Sequence, residues 1–499
     1  MGEINQLEES FWQYLREMDS YREMLMLTYW DMRTKIPKNA VEQRSEVVGF
    51  LAEKLHHLQT SDQMKRFIDK LKSSENDLIQ KIITECEEIY DKNRKIPNEE
   101  YKAYVMLQSK SEAIWQKARE KADFSMFQPY LEELVEYNKR FANYWGYDKN
   151  IYDALLHNFE PGITTELLDD VFPKLRHAII KLLDKINASD NKPNAAVLKG
   201  YFPKTKQKEF TIKVLKEIGY SFDSGRLDDT IHPFEITLNR NDVRITTRYD
   251  EEDFRMAVFG TIHEAGHALY EQNISPKLDR TPLATGTSMG IHESQSLFWE
   301  NIISRSKPFW QYYYKQFKTY APGNFQDVSM DEFYRAVNEV KPSFIRIEAD
   351  ELTYPLHIMI RYELEKALMN DEIKVADLPH LWNEKMVDYL GIEPPTDREG
   401  VLQDIHWSSG DFGYFPSYAL GYMYATQFYH TMSKELDVEE LVATGEFAPI
   451  NEWLLRNIHQ YGKTKKPLQL LEEITNEKLS SDYLVAYLTR KYVDIYQIP

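Results

Sequence analysis

Apolar residues recur at helical spacing along most of this chain and at strand spacing in only one short stretch. Leu51, Leu55 and Leu58, at i, i+4 and i+7, mark one helical stripe within residues 4–140, where Glu, Lys, Leu, Met and aromatic residues dominate. Breaks fall at Lys35-Ile-Pro-Lys-Asn and Lys95-Ile-Pro-Asn, and Pro97 suits the first turn of a new helix. Long charged helices of this kind read as a solvated scaffold or as a lid over a cleft. Residues 163–220 continue the pattern, with Thr164-Thr165-Glu166 as a cap region. The period then changes to two. Phe234–Leu238 and Val243–Tyr249 alternate and are joined by Asn239-Arg240-Asn241-Asp242, which predicts a hairpin. From Glu252 onward the helical pattern returns, interrupted at Pro322-Gly323, Pro394-Pro395 and Ser408–Gly413. With no internal repeat and no flexible linker, the pattern predicts a mainly α protein with one small antiparallel sheet, continuous over residues 1–499.

Composition narrows the partners. Lys and Arg number 61 against 80 Asp and Glu, a net charge of −19. That balance disfavours nucleic acid, whose phosphates call for a basic face. Cys86 is the only cysteine, so neither an intramolecular disulfide nor a cysteine-rich metal site can form, and its charged helical surroundings read as structural. The first residues have neither a basic start nor an apolar run, and no stretch approaches the ~20 apolar residues of a membrane span. The expectation is a soluble, cytoplasmic protein with no membrane partner.

The candidate chemistry sits at Ala257–Tyr270. His263 and His267 are four apart, so on a helix both imidazoles reach one metal ion, and Glu264 can point at a metal-bound water without ligating. This is the His-Glu-x-x-His zinc motif. Catalytic zinc commonly takes three protein ligands and keeps one position for water. Glu293, near the start of a second predicted helix, is the leading third ligand. Glu300, Glu271 and His292 are the alternatives.

Beyond that motif, the sequence resembles the carboxypeptidase Taq family of metallocarboxypeptidases. The resemblance rests on Asp242-Val-Arg244-Ile-Thr246, His292-Glu293-Ser294-Gln295, Ile345-Arg346-Ile-Glu-Ala349-Asp350 and Gly400-Val-Leu-Gln403-Asp404-Ile-His406-Trp407. Looser matches at Trp30-Asp31 and at Tyr152-Asp-Ala-Leu-Leu with Glu160-Pro161-Gly162 extend it to nearly the whole chain. It implies a helical, cleft-divided body of the gluzincin type, related to neurolysin-like and angiotensin-converting-enzyme-like peptidases. Residues of about 1–150 would then form a lid or cleft wall and about 151–499 the catalytic part. It also implies one zinc ion, replaceable by Co2+ or Mn2+, release of single C-terminal amino acids with broad specificity but poor release of proline, and a homodimer. Some gluzincins carry an Asp four residues after the ligand Glu. Here that position is Leu297, which leaves the group that orients the metal histidines unassigned.

Peptide hydrolysis also needs a base, oxyanion donors and a grip on the substrate. Glu264 is the expected base. Pro416 suits the first turn of a helix that puts Tyr418 and Tyr422 on one face; the resemblance carries an oxyanion role to Tyr422, with His406 as second donor and Tyr418 beside the substrate. Arg346 is the candidate for the terminal carboxylate, since Arg matches it with two prongs, unless it pairs with Asp350. Arg244 either binds substrate or pairs with Asp242 or Asp404, and the strand Val243–Thr247 is a candidate for edge addition of an extended peptide. Two other readings use the same residues: an oligopeptidase or dipeptidyl carboxypeptidase, and a non-catalytic helical binding protein.

Overall fold

A computed structural model describes residues 2–321, 323 and 325–498, so Pro322 of the anticipated break lies outside the described residues. The molecule is built almost wholly of helices, and its buried apolar side chains form one connected cluster from Phe11 to Ile498. Leu51 of the predicted stripe is buried, with Leu55 and Leu58 packed against the same cluster. Thr164 caps the helix Thr165–Ala188, its hydroxyl accepting from the Leu167 amide. Cys86 is buried, which pushes its thiol up to about 12 and leaves it inert. Among the described residues no helix is long and apolar enough to cross a membrane.

Six helices bear on the site. They are α1 (Gly2–Thr34), α2 (Asn98–Lys121), α3 (Thr261–Gln272), α4 (Met289–Leu297), α5 (Tyr354–Met369) and α6 (Pro416–Met432). Pro416 occupies the first turn of α6, where its missing N–H costs no hydrogen bond. The Ser288 hydroxyl starts α4 by accepting from the Ile291 amide at 3.1 Å.

The sheet differs from expectation. The hairpin is present, as β2 (Glu235–Asn239) antiparallel to β3 (Asp242–Thr247), but β1 (Gly225–Asp229) pairs parallel to the other side of β3. The sheet is therefore mixed rather than antiparallel. β1 was illegible because Gly-Arg-Leu-Asp-Asp offers one apolar residue and no alternation. With a neighbour on each side, β3 has no free backbone edge, so edge addition of a peptide along Val243–Thr247 is excluded. At the end of β2, Arg22 of α1 donates to the carbonyls of Leu238 at 2.6 Å and Thr237 at 3.4 Å.

The N-terminal helices reach both sides of the site. Trp30 of α1 packs edge-on against Phe234 beside the sheet. On α2, Tyr104 donates to the Gly410 carbonyl, Gln108 to that of Ser409 and Trp115 to that of Leu402, all within the segment that carries His406.

Candidate active site

His263 and His267 sit one turn apart on α3, and Glu293 faces them from α4. Two glycines allow that approach. A Cβ on Gly266 would lie 2.5 Å from the Gln295 carbonyl and 2.6 Å from the Ser296 Cα, so α3 and α4 meet backbone to backbone. A Cβ on Gly421 of α6 would lie 2.7 Å from the Glu293 Cβ, so α6 backs the carboxylate closely. Ligand atoms of His263, His267 and Glu293 all lie within 4.8 Å of one another. Glu293 Oε2 is 3.7 Å from His263 Nε2 and 3.4 Å from His267 Nε2. Donors bound at about 2.0–2.1 Å around a tetrahedral zinc stand roughly 3.4 Å apart, so this two-nitrogen, one-oxygen set fits such an ion.

The remaining candidates for third ligand are spent on orienting these groups. Glu300 Oε2 meets His263 Nδ1 at 2.9 Å while its Oε1 accepts from Arg305 at 2.9 Å. Two turns along from Glu293, it supplies the orienting carboxylate that Leu297 cannot. His267 Nδ1 lies 3.1 Å from the His292 carbonyl and 2.6 Å from His292 Nδ1, and His292 Nε2 is 2.9 Å from Glu271. His292, Glu271 and Glu300 thus stand behind the nitrogens that face the Glu293 carboxylate, not among them. Buried Glu160 secures the start of α4, accepting from the Gly290 amide at 2.7 Å, Ser288 at 2.8 Å and Tyr424 at 3.0 Å. Burial outweighs these donors and pushes its carboxyl up to about 7.

The charge states suit metal chemistry. Burial lowers His267 to about 4, against the pull of Glu293 and helped by His292 and His263, so the ring is neutral as a ligand requires. Burial would lower His263 too, but Glu293 and Glu300 raise it to about 10, and a cation must displace that proton. Burial pushes the Glu264 carboxyl up to about 7, with His263 pulling the other way and Glu293 and Glu300 adding to the rise.

The opposite wall is held by buried charge. Asp404 accepts from Arg346 Nε at 3.0 Å and from Arg361 Nε at 2.7 Å, with Arg346 Nη2 in ion-pair contact at 2.9 Å. Arg346 therefore pairs with Asp404 and not with Asp350, whose carboxylate is spent on Thr353 and nearby amides. Arg346 Nη1 donates to the Tyr354 hydroxyl at 3.0 Å, which leaves two of its five N–H groups for a ligand. Its guanidinium lies 4.8 Å from the Tyr418 ring centre. The Tyr418 hydroxyl is 3.1 Å from His406 Nε2. Burial, opposed by Asp404 and reinforced by Arg346 and Arg361, lowers His406 to about 3 and keeps it a neutral donor. Burial, with the charge of Glu293 as a lesser cause, raises the phenols of Tyr354, Tyr414 and Tyr418.

One sequence assignment is corrected and one open alternative is decided. Tyr422 is not at the site: it is fully buried, and its hydroxyl donates to Glu351, a carboxylate also held by Lys491 and Tyr492. Tyr422 shares a face with Tyr418 but lies about 6 Å further along α6, far enough to give the two phenols different neighbours. Tyr414, overlooked in the sequence because it precedes Pro416 in a loop, contacts the Tyr418 and His406 rings instead. Of the two readings of Arg244, the pairing with Asp242 is present. Its Nε and Nη2 both donate to Asp242 at 2.7 Å, and its guanidinium lies over Trp30.

Comparison with known proteins agrees with this geometry. The family profile described as carboxypeptidase Taq (M32) metallopeptidase matches residues 10–492. "Carboxypeptidase 1" of Bacillus subtilis is 54% identical, covering 99% of each chain. "Thermostable carboxypeptidase 1" of Thermus thermophilus is 38% identical over 97% of this chain and 98% of its own. The crystal structure of an M32 carboxypeptidase from Deinococcus radiodurans superposes with a TM-score of 0.96 at 33% identity, covering 99% of this chain and 100% of that one. The chain belongs to the carboxypeptidase Taq (M32) metallopeptidase family and is a metallocarboxypeptidase.

Proposed function

We propose that this metallocarboxypeptidase uses one zinc ion, held by His263, His267 and Glu293, to release single C-terminal amino acids with broad specificity and poor release of proline. The observation that carries the reading is a paired-nitrogen, single-carboxylate cluster facing a buried arginine that keeps free donors beside neutral Tyr418 and His406.

Zinc held by His263, His267 and Glu293 would supply a bound water of pKa about 7 and a Lewis acid for the scissile carbonyl. Glu264 takes the water proton on its carboxylate and passes it to the departing amine. Tyr418 donates a hydrogen bond to the developing oxyanion, the role first carried to Tyr422, and His406 supports it by donating from Nε2 to the Tyr418 oxygen. Arg346, fixed by Asp404 and Tyr354, receives the terminal carboxylate with its two remaining N–H groups. Broad specificity is consistent with recognition by the carboxylate rather than by a side-chain pocket. A homodimer rests on the family resemblance; light scattering tests it, and a monomeric mass would refute it.

Metal-loaded protein incubated with N-blocked peptides tests the activity. Stepwise release of single residues is expected from free acids only, slowing at proline. Cleavage of amidated peptides or release of dipeptides would favour the oligopeptidase or dipeptidyl reading. Less than one tightly bound zinc per chain would refute the metal assignment.

A further inference from the structure

Helix α5 turns a buried cation and a buried carboxylate, one turn apart, toward the same segment. Arg361 and Glu365 are both wholly inaccessible to solvent. At i and i+4 such a pair would ordinarily bond to each other on a helix surface. Here each grips a different stretch of residues 400–413. Arg361 donates to Asp404 at 2.7 Å and to Gln403 at 2.8 Å. Glu365 accepts from the Trp407 indole at 2.7 Å, the Gly413 amide at 2.9 Å and the Tyr152 hydroxyl at 2.5 Å. None of its three donors carries charge. A carboxylate taken out of water without a cation is expensive, so its retention calls for a task that an apolar residue could not perform.

The placement of the grips shows that task. His406 lies between them, and Tyr414 follows the second directly. We infer that Glu365 is a positioning residue for His406 and the adjoining tyrosines, while Arg361, through Asp404, separately positions Arg346. One helix thus sets the groups acting on the reacting carbonyl apart from the group holding the substrate's end. The inference rests on the roles proposed above for His406 and Arg346. It also gives Tyr152 and Trp407, two residues of the family-like motifs, a shared partner.

Glu365→Gln in the full-length, metal-loaded protein tests it. The amide oxygen can keep Tyr152 and Gly413, but its NH2 then faces the Trp407 N–H. Hydrogen exchange should quicken over residues 405–413. The kcat should fall by about tenfold to a hundredfold, the scale of a small misplacement of catalytic groups, with KM and metal content unchanged. Wild-type exchange and turnover would overturn the inference, as would a raised KM at unchanged kcat. If that variant does not fold, Tyr152→Phe, which removes one donor, should lower kcat in the same sense by less; wild-type turnover there would overturn it equally. His406→Phe, measured alongside, separates the two readings. Full turnover in His406→Phe overturns the role of His406 and this inference with it. An inactive His406→Phe beside an unaltered Glu365→Gln overturns this inference alone.

Discussion

The metal wall and the peptide wall of this site are built on different principles. The metal wall is local: residues 263–300 supply the three proposed ligands, the proposed base and the carboxylate behind His263, all set by helical repeat and by the contact at Gly266. The peptide wall joins residues 346, 354, 404–406 and 414–418 through a buried aspartate shared by two arginines. Removing one partner from such a cluster leaves a charge buried and unmatched, whereas crowding the metal wall moves a ligand. The first wall should therefore fail sterically and the second electrostatically.

The largest expected effect lies where the walls meet the reaction. Glu264→Gln should retain its metal and lose kcat by about 10²–10⁴-fold, checked by metal analysis and steady-state kinetics. Arg346→Lys comes next. It keeps the charge but not the fork, and losing charged hydrogen bonds of about 1.5–3 kcal/mol should raise KM by roughly tenfold to a hundredfold. Gly266→Ala probes the metal wall: overpacking of about 1–3 kcal/mol should lower the melting temperature and weaken metal retention against a chelator, with no electrostatic change to explain it. A Gly266→Ala protein with normal metal affinity would refute the steric account.

Glu160→Gln should have the smallest effect and the clearest pH signature. The Glu160 carboxyl is raised by burial from its ordinary 4.5 to about 7, so between those values the folded chain binds the extra proton. Its contribution is present at low pH and is lost as pH rises toward 7, with a slope of at most about 1.4 kcal/mol per pH unit. Denaturant titrations of Glu160→Gln should show that slope flattened. Tyr422→Phe sharpens the same comparison, because it should cost stability by leaving buried Glu351 short of a donor while turnover stays close to normal.

This contrast in construction decides what the sequence could disclose. His263, Glu264 and His267 are legible because a helix converts a spacing of four directly into proximity, and Glu293 because a second helix follows at once. Glu300 was visible as a residue on the same face, but whether it ligates or orients depends on the α3–α4 separation. On the peptide wall no periodicity connects Arg346 with Asp404. The matched motifs named both residues without saying that they pair. Tyr422 was misassigned because the chain carries 33 tyrosines and helical phase alone does not say which neighbour a phenol meets. The hairpin was legible from its alternation and its turn; β1 has neither.

The close contact at Gly266 also bears on how this site could have been reached or varied. The two positions between Glu264 and His267 are commonly treated as free letters. In this chain the second is fixed by the thickness of a neighbouring backbone. A library randomised at Ala265 and Gly266 and selected for activity should return glycine at the second position. The two-helix unit is therefore transferable to another scaffold only together with the partner helix that its glycine fits.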